Sequence, residues 1–296
     1  MTIIPKFSDL CHFARDFPTG VGELIEFGWN DGGKVREDTI SDLFAASLTK
    51  SFSSNVVVLR PNELRTGSDF DIYVYSRRLN SHIMLRVQAK KLDIKRVDWE
   101  KCQYSHLLHP KKSGDQSRVL VSSSAHAKIP TYPVYAFYNP LSIYHVSLNN
   151  IKGLNLADAR HIRSIIKFLI LNPKSKYKHL KFISNFFFDL EYIFCPQIDS
   201  FGPESIYRNL SQNIETKNTI YKNIRTISQG SDGRLLLPRK LNSGDEIRGA
   251  QQRLQVEGAF PKWLSEIERF IGQYDTIKMP RSYKLPRPLI VISAPD

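Results

Sequence analysis

Apolar positions along the chain change their spacing from segment to segment, and each spacing predicts an element. Leu10, Phe13, Ala14 and Phe17 recur at helical intervals and predict a helix over 7–17, ended by a turn at Gly20 and Gly22. After a loop at Asn30-Asp31-Gly32-Gly33, Ile40, Leu43, Phe44 and Leu48 predict a second helix over 36–50. The run Val56-Val57-Val58 reads as a buried strand over 55–59. From Asp69 to Tyr75 the pattern alternates, with Phe70, Ile72 and Val74 on one face and Asp69, Asp71, Tyr73 and Tyr75 on the other. Residues 83–90 do the same, Leu85, Val87 and Ala89 lying opposite Met84, Arg86, Gln88 and Lys90. A helix over 115–128 and an aromatic-rich strand over 132–138 complete the order helix, three strands, helix, strand, which is that of an α/β layer.

Beyond Asn139 the pattern is mainly helical, strongest over 156–171, followed by the basic stretch 174–181. A long loop over 230–244, short helices over 248–255 and 262–273 and a last strand over 289–293 are expected. The division is a core with its N-terminal helix over 1–140 and a basic, mainly helical accessory region over 141–296, packed on that core.

Composition narrows the class. The chain has 296 residues, is 41% hydrophobic and 24% charged, and has a mean hydropathy of -0.32, enough apolar content for a real core and too much for a disordered chain. No stretch reaches the 18 uninterrupted apolar residues of a spanning helix, so no membrane association is expected. The start of the chain lacks the basic-then-apolar order of a signal peptide. Cys11, Cys102 and Cys195 are odd in number and far apart, which predicts unpaired thiols in a reducing, cytoplasmic setting and neither a disulfide framework nor a structural zinc site.

Charge then points to a partner. Lys and Arg exceed Asp and Glu by 42 to 29, a net +13, which favours a polyanion and above all nucleic acid. Residues 1–150 hold 19 basic and 15 acidic side chains (net +4) and residues 151–296 hold 23 and 14 (net +9). Within the first half, 77–128 alone has 12 basic against 4 acidic.

Asp69 and Asp71 share a strand face, as do Gln88 and Lys90, and a lysine and an amide beside carboxylates suit a metal site better than packing. Mg²⁺ takes hard oxygen ligands, which one Asp, a side-chain amide oxygen and a backbone carbonyl supply, leaving the ammonium to serve an attacking water and a developing phosphorane charge. Glu37, three residues before Ile40, shares that helix's buried face and adds a carboxylate.

Glu37 in a helix, Gly67-Ser-Asp69-Phe-Asp71 opening a strand and Gln88-Ala-Lys90 closing the next resemble the PD-(D/E)XK nuclease core. With Gln in place of the second acid, they are similar to its Mrr-like branch. More narrowly, Arg36-Glu37-Asp38, Arg86-Val-Gln-Ala-Lys90, Tyr104, Gln116, Ala125 and Pro133-Val-Tyr-Ala-Phe-Tyr138 resemble a bacterial family of uncharacterised proteins assigned to that superfamily. The resemblance implies a restriction-endonuclease-like core, a mixed sheet flanked by helices, and an Mg²⁺-dependent endonuclease acting on DNA in antiphage defence, with Mn²⁺ as a substitute. It also implies the roles: Glu37, Asp69 or Asp71 and Gln88 as metal ligands and Lys90 serving the water. Lys91, Lys95, Arg96, Lys111 and Lys112 flank these positions as phosphate contacts. A homodimer and a regulatory partner or activating ligand are further expectations. Two other readings compete: a catalytically silent nucleic-acid-binding module, motivated by neutral Gln88, and an interaction subunit of a defence or toxin system. The histidines at 106, 109 and 126 lack acidic or Cys partners at ligand spacing, and the six tyrosines at 73, 75, 104, 132, 135 and 138 read as core aromatics ahead of base-stacking platforms.

Overall fold

The computed structural model describes residues 7–30, 35–51, 56–77, 80–93, 99, 102–108, 116–146, 151–172, 174–195, 202–213 and 287–290. Its centre is a mixed six-stranded sheet of order β5-β4-β3-β2-β1-β6. The strands are β1 (Val56–Arg60), β2 (Phe70–Ser76), β3 (Ser81–Lys91), β4 (Thr131–Tyr138), β5 (Leu154–Asp158) and β6 (Arg287–Ile290). β1, β2 and β3 form an antiparallel meander, β4 runs parallel to β3 after a helical crossover, and β5 and β6 add antiparallel edges. The α/β class read from the alternation holds.

Helices cover both faces. Phe70, Ile72, Val74, Leu85, Val87 and Ala89 face a core built with α1 (Leu10–Asn30) and α2 (Glu37–Ser51). Tyr135 and Phe137 face the opposite core, packed by α4 (Gln116–Ala125) and α6 (Ala159–Leu171). Shorter helices are α3 (Glu63–Thr66), α5 (Leu141–Val146), α7 (Leu180–Ile183) and α8 (Glu191–Phe194).

Three expectations need correction. The turn at Gly20 and Gly22 does not form: α1 runs on to Asn30, because the stripe Phe17, Val21, Ile25 keeps its buried face. Gly22 is there for close packing, since a Cβ on it would lie 3.2 Å from the Leu141 backbone nitrogen. The helical reading of 156–171 is wrong at its start, where Leu154–Asp158 pairs with β4 and Asp158 caps α6 by accepting a hydrogen bond from the Arg160 N–H. The sheet draws on both sides of residue 140, since β5 and β6 come from the second half of the chain. Finally, Cys11 and Cys195 are disulfide-bonded, 184 residues apart with Cα atoms 4.6 Å apart, because the start of α1 and the end of α8 meet beside Phe13 and Phe194; Cys102 is buried and not disulfide-bonded. The elements expected over 230–244, 248–255 and 262–273 lie outside the described residues. Among the described residues no helix is long and apolar enough to cross a membrane.

Candidate functional site

The site assembles where β2 begins and β3 ends. α3 is capped by Asn62, whose side chain accepts from the Leu64 N–H, and closes at Gly67 in the left-handed region (φ 72°). This turn delivers Asp69 opposite β3, where its own N–H donates to the Val87 carbonyl at 2.9 Å. One carboxylate oxygen of Asp69 then accepts from the Gln88 side-chain amide at 2.6 Å and from the Ala89 N–H at 2.7 Å. Burial pushes the Asp69 carboxyl up to about 6, against the pull of Lys90 and the Ala89 N–H, with Glu63 and Glu37 adding to the rise.

Gln88 is 1% exposed, and its amide nitrogen also reaches the Ala89 carbonyl at 3.3 Å. Its side-chain oxygen has no hydrogen-bond partner among the described residues. Such an orphaned acceptor is costly unless something else binds it. Lys90, 3% exposed, sets its ammonium 3.7 Å from the Glu37 carboxylate. Glu37 opens α2 and reaches over the end of β3, where its other oxygen accepts from the Lys91 N–H at 2.9 Å. The Lys91 ammonium donates to the Val35 carbonyl at 2.5 Å.

The structure therefore brings Glu37, Asp69, Gln88 and Lys90 together. It sets Asp71 apart. Both carboxylate oxygens of Asp71 are engaged by Arg86, the nearest contact at 3.1 Å, and one also accepts from the Ser68 hydroxyl at 3.0 Å. Burial pushes this carboxyl up even with Arg86 beside it. Arg86 in turn donates to Ser123, which holds the Thr66 carbonyl, so the pair ties the meander to α4. The alternation of polar positions placed Asp69 and Asp71 on one face correctly but carried no sign that Arg86, directly across the ladder from Asp71, would occupy it.

Glu63 escaped sequence reasoning altogether. It accepts from the Gln116 amide at 2.6 Å and lies near enough to Asp69 to raise its pKa ahead of Glu37. Only a register between α3 and α4 reveals it. The six tyrosines are buried, as core aromatics should be. His106 is exposed, and the His126 ring meets the Ser122 carbonyl. Lys95, Arg96, His109, Lys111 and Lys112 lie outside the described residues.

Among the described residues no three His, Cys, Asp or Glu side chains cluster as a ready metal cage. The donor set here is two carboxylates and an amide oxygen, all hard oxygens, with a lysine as neighbour. That set fits Mg²⁺, which keeps several waters and needs few protein ligands.

A family model described as a family of unknown function, DUF6615, matches residues 10–271. The chain belongs to this family. No curated protein matches the sequence. The DUF6615 match takes in every element from α1 to α8, and so all four clustered residues, while β6 falls beyond it.

Proposed function

We propose that this DUF6615 chain is a metal-dependent nuclease that hydrolyses phosphodiester bonds, DNA before RNA, on a PD-(D/E)XK-like core in bacterial antiphage defence. The observation that carries this reading is the unpartnered Gln88 oxygen, buried beside the Asp69 carboxylate with Lys90 and Glu37 at the same strand end. Asp69, Glu37 and the Gln88 oxygen would hold Mg²⁺, or Mn²⁺ in its place, which when bound supplies a Lewis acid at the scissile phosphate. The Asp69 carboxylate is already oriented by the Gln88 and Ala89 N–H groups, so it needs no rearrangement to act as a ligand. Lys90 orients the attacking water and offsets the charge that grows on the phosphate in the transition state. Burial excludes competing solvent from the lysine and strengthens its field.

A second reading has one observation behind it. Gln88 is neutral where related sites carry an acid, and Asp69 ionises only near pH 6, so metal affinity is lower than with two free carboxylates. A nucleic-acid-binding module without cleavage would follow.

Cleavage separates the two. Purified protein and Lys90→Ala are given supercoiled plasmid, single-stranded DNA and RNA with Mg²⁺, Mn²⁺ or EDTA, folding being checked by circular dichroism. The expected result is metal-dependent cutting that slows by about 10²-fold or more in the variant, the scale for losing one transition-state donor. A folded Lys90→Ala that cuts as fast as the parent removes Lys90 from the mechanism.

A further inference from the structure

Residues 159–188 contain no Asp or Glu but seven Lys or Arg. Of the acids at either end, Asp158 neutralises Arg160, one of the seven, at 2.6 Å, and Asp189 is paired with Lys152, outside the segment, at 3.0 Å. Its outer part, 174–181, holds four of these lysines and no acid, and Lys174, Lys176 and Lys181 are exposed.

Two features set this segment beside the site. The first is the face of the sheet. α6 and α7 belong to the same buried core as Tyr135 and Phe137, which stand across the ladder from Gln88 and Lys90 and share their side of the sheet. The second is a chain of backbone bridges from the end of β3. Asp93, three residues beyond Lys90, pairs with Gln103, and Gln103 pairs with His179. The Asp93 N–H donates to the Gln103 carbonyl at 2.9 Å, and the Leu180 N–H to the Cys102 carbonyl at 2.9 Å. Each bridge spans about 5 Å, so the basic segment begins on the order of 10–15 Å from Lys90. At ~3.4 Å rise per nucleotide that is the reach of a few nucleotides.

We infer that residues 174–181 form the surface that binds the phosphate backbone of the nucleic acid flanking the scissile bond, with Lys174, Lys176 and Lys181 as the contacts. The inference rests on the nuclease reading above and adds to it where the substrate lies: along the β3 end, across the 102–104 segment and onto the turn before α7. Lysines there act as mobile point charges, suited to following a backbone of any sequence. The ring of Tyr177 is taken up by Phe182 at 4.0 Å and Phe168 at 4.9 Å, so the surface offers charge without an aromatic platform and favours no base.

The test is fluorescence anisotropy of labelled single-stranded and duplex DNA in EDTA, from 50 to 200 mM salt, with the full chain and a Lys174→Gln, Lys176→Gln, Lys181→Gln triple variant. The expected result is binding weakened about 10–100-fold by the triple variant, a plot of log affinity against log salt shallower by about 2–3 on duplex DNA, and recovery in the matching Lys→Arg triple. A folded Gln triple with the parent's affinity and slope overturns this inference and leaves the nuclease reading standing. A parent that binds no nucleic acid at low salt removes both. A parent that prefers polyglutamate to DNA overturns the assignment to nucleic acid.

Discussion

Asp69 is held half-buried by two N–H donors yet keeps its proton to about pH 6, and this ties its protonation to stability. Below about pH 3 its carboxyl is protonated in folded and unfolded chains alike. As pH rises toward 6 the unfolded chain ionises first, the folded chain holds the extra proton, and stability is lost across that window, by at most roughly 3 kcal/mol. Asp69→Asn removes this loss. Its unfolding free energy minus the parent's is expected to grow between pH 4 and 6 and to level off above about 7, as read by urea titration at each pH. A difference flat from pH 4 to 7 contradicts the raised pKa. At this scale much of the candidate site was legible: the clustering of Asp69, Gln88 and Lys90 follows from strand alternation, and that of Glu37 from its helix face. The division of labour between Asp69 and Asp71 was not, because it depends on which carboxylate an arginine across the ladder engages.

Elements were read well where a period ran uninterrupted and poorly where glycine or a change of period intervened. The meander of β1, β2 and β3 and the β4 strand matched the alternation within a residue or two. Gly20 and Gly22 looked like a turn because glycine usually breaks a helix, yet α1 needs Gly22 to let the backbone before β5 come close. The same contact constrains Gly153, whose Cβ would lie 2.0 Å from the Pro18 carbonyl and 2.5 Å from the Gly22 nitrogen. No rotamer relieves a clash with backbone, so α1 or the lead into β5 must shift. Gly153→Ala is therefore expected to destabilise the protein by more than about 1 kcal/mol, seen as a lower urea midpoint. An unchanged midpoint would mean that α1 sits farther from β5.

Across the whole molecule, covalent closure was the feature least accessible to sequence. Three scattered cysteines at unrelated spacings carry no pairing signal, and only the fold brings Cys11 to Cys195. Closing so long a loop restricts the unfolded chain, worth about 2–4 kcal/mol. Cys11→Ser, or the parent in a dithiol reductant, is expected to lose stability on that scale, and non-reducing peptide mapping is expected to show the Cys11–Cys195 pair. Equal denaturation curves with and without reductant would show that the bond adds nothing.

β6 gives the sheet a history as well as a shape. It comes from residues 287–290 and covers the outer edge of β1, which ends at Arg60. At about 5–20 residues per second, a ribosome finishes β1 roughly 10–45 s before it supplies the strand that will lie beside it. The residues from Glu37 to Lys91 are therefore all made before the strand that pairs with the outer edge of apolar β1. Such an edge invites pairing with other chains until the last strand arrives.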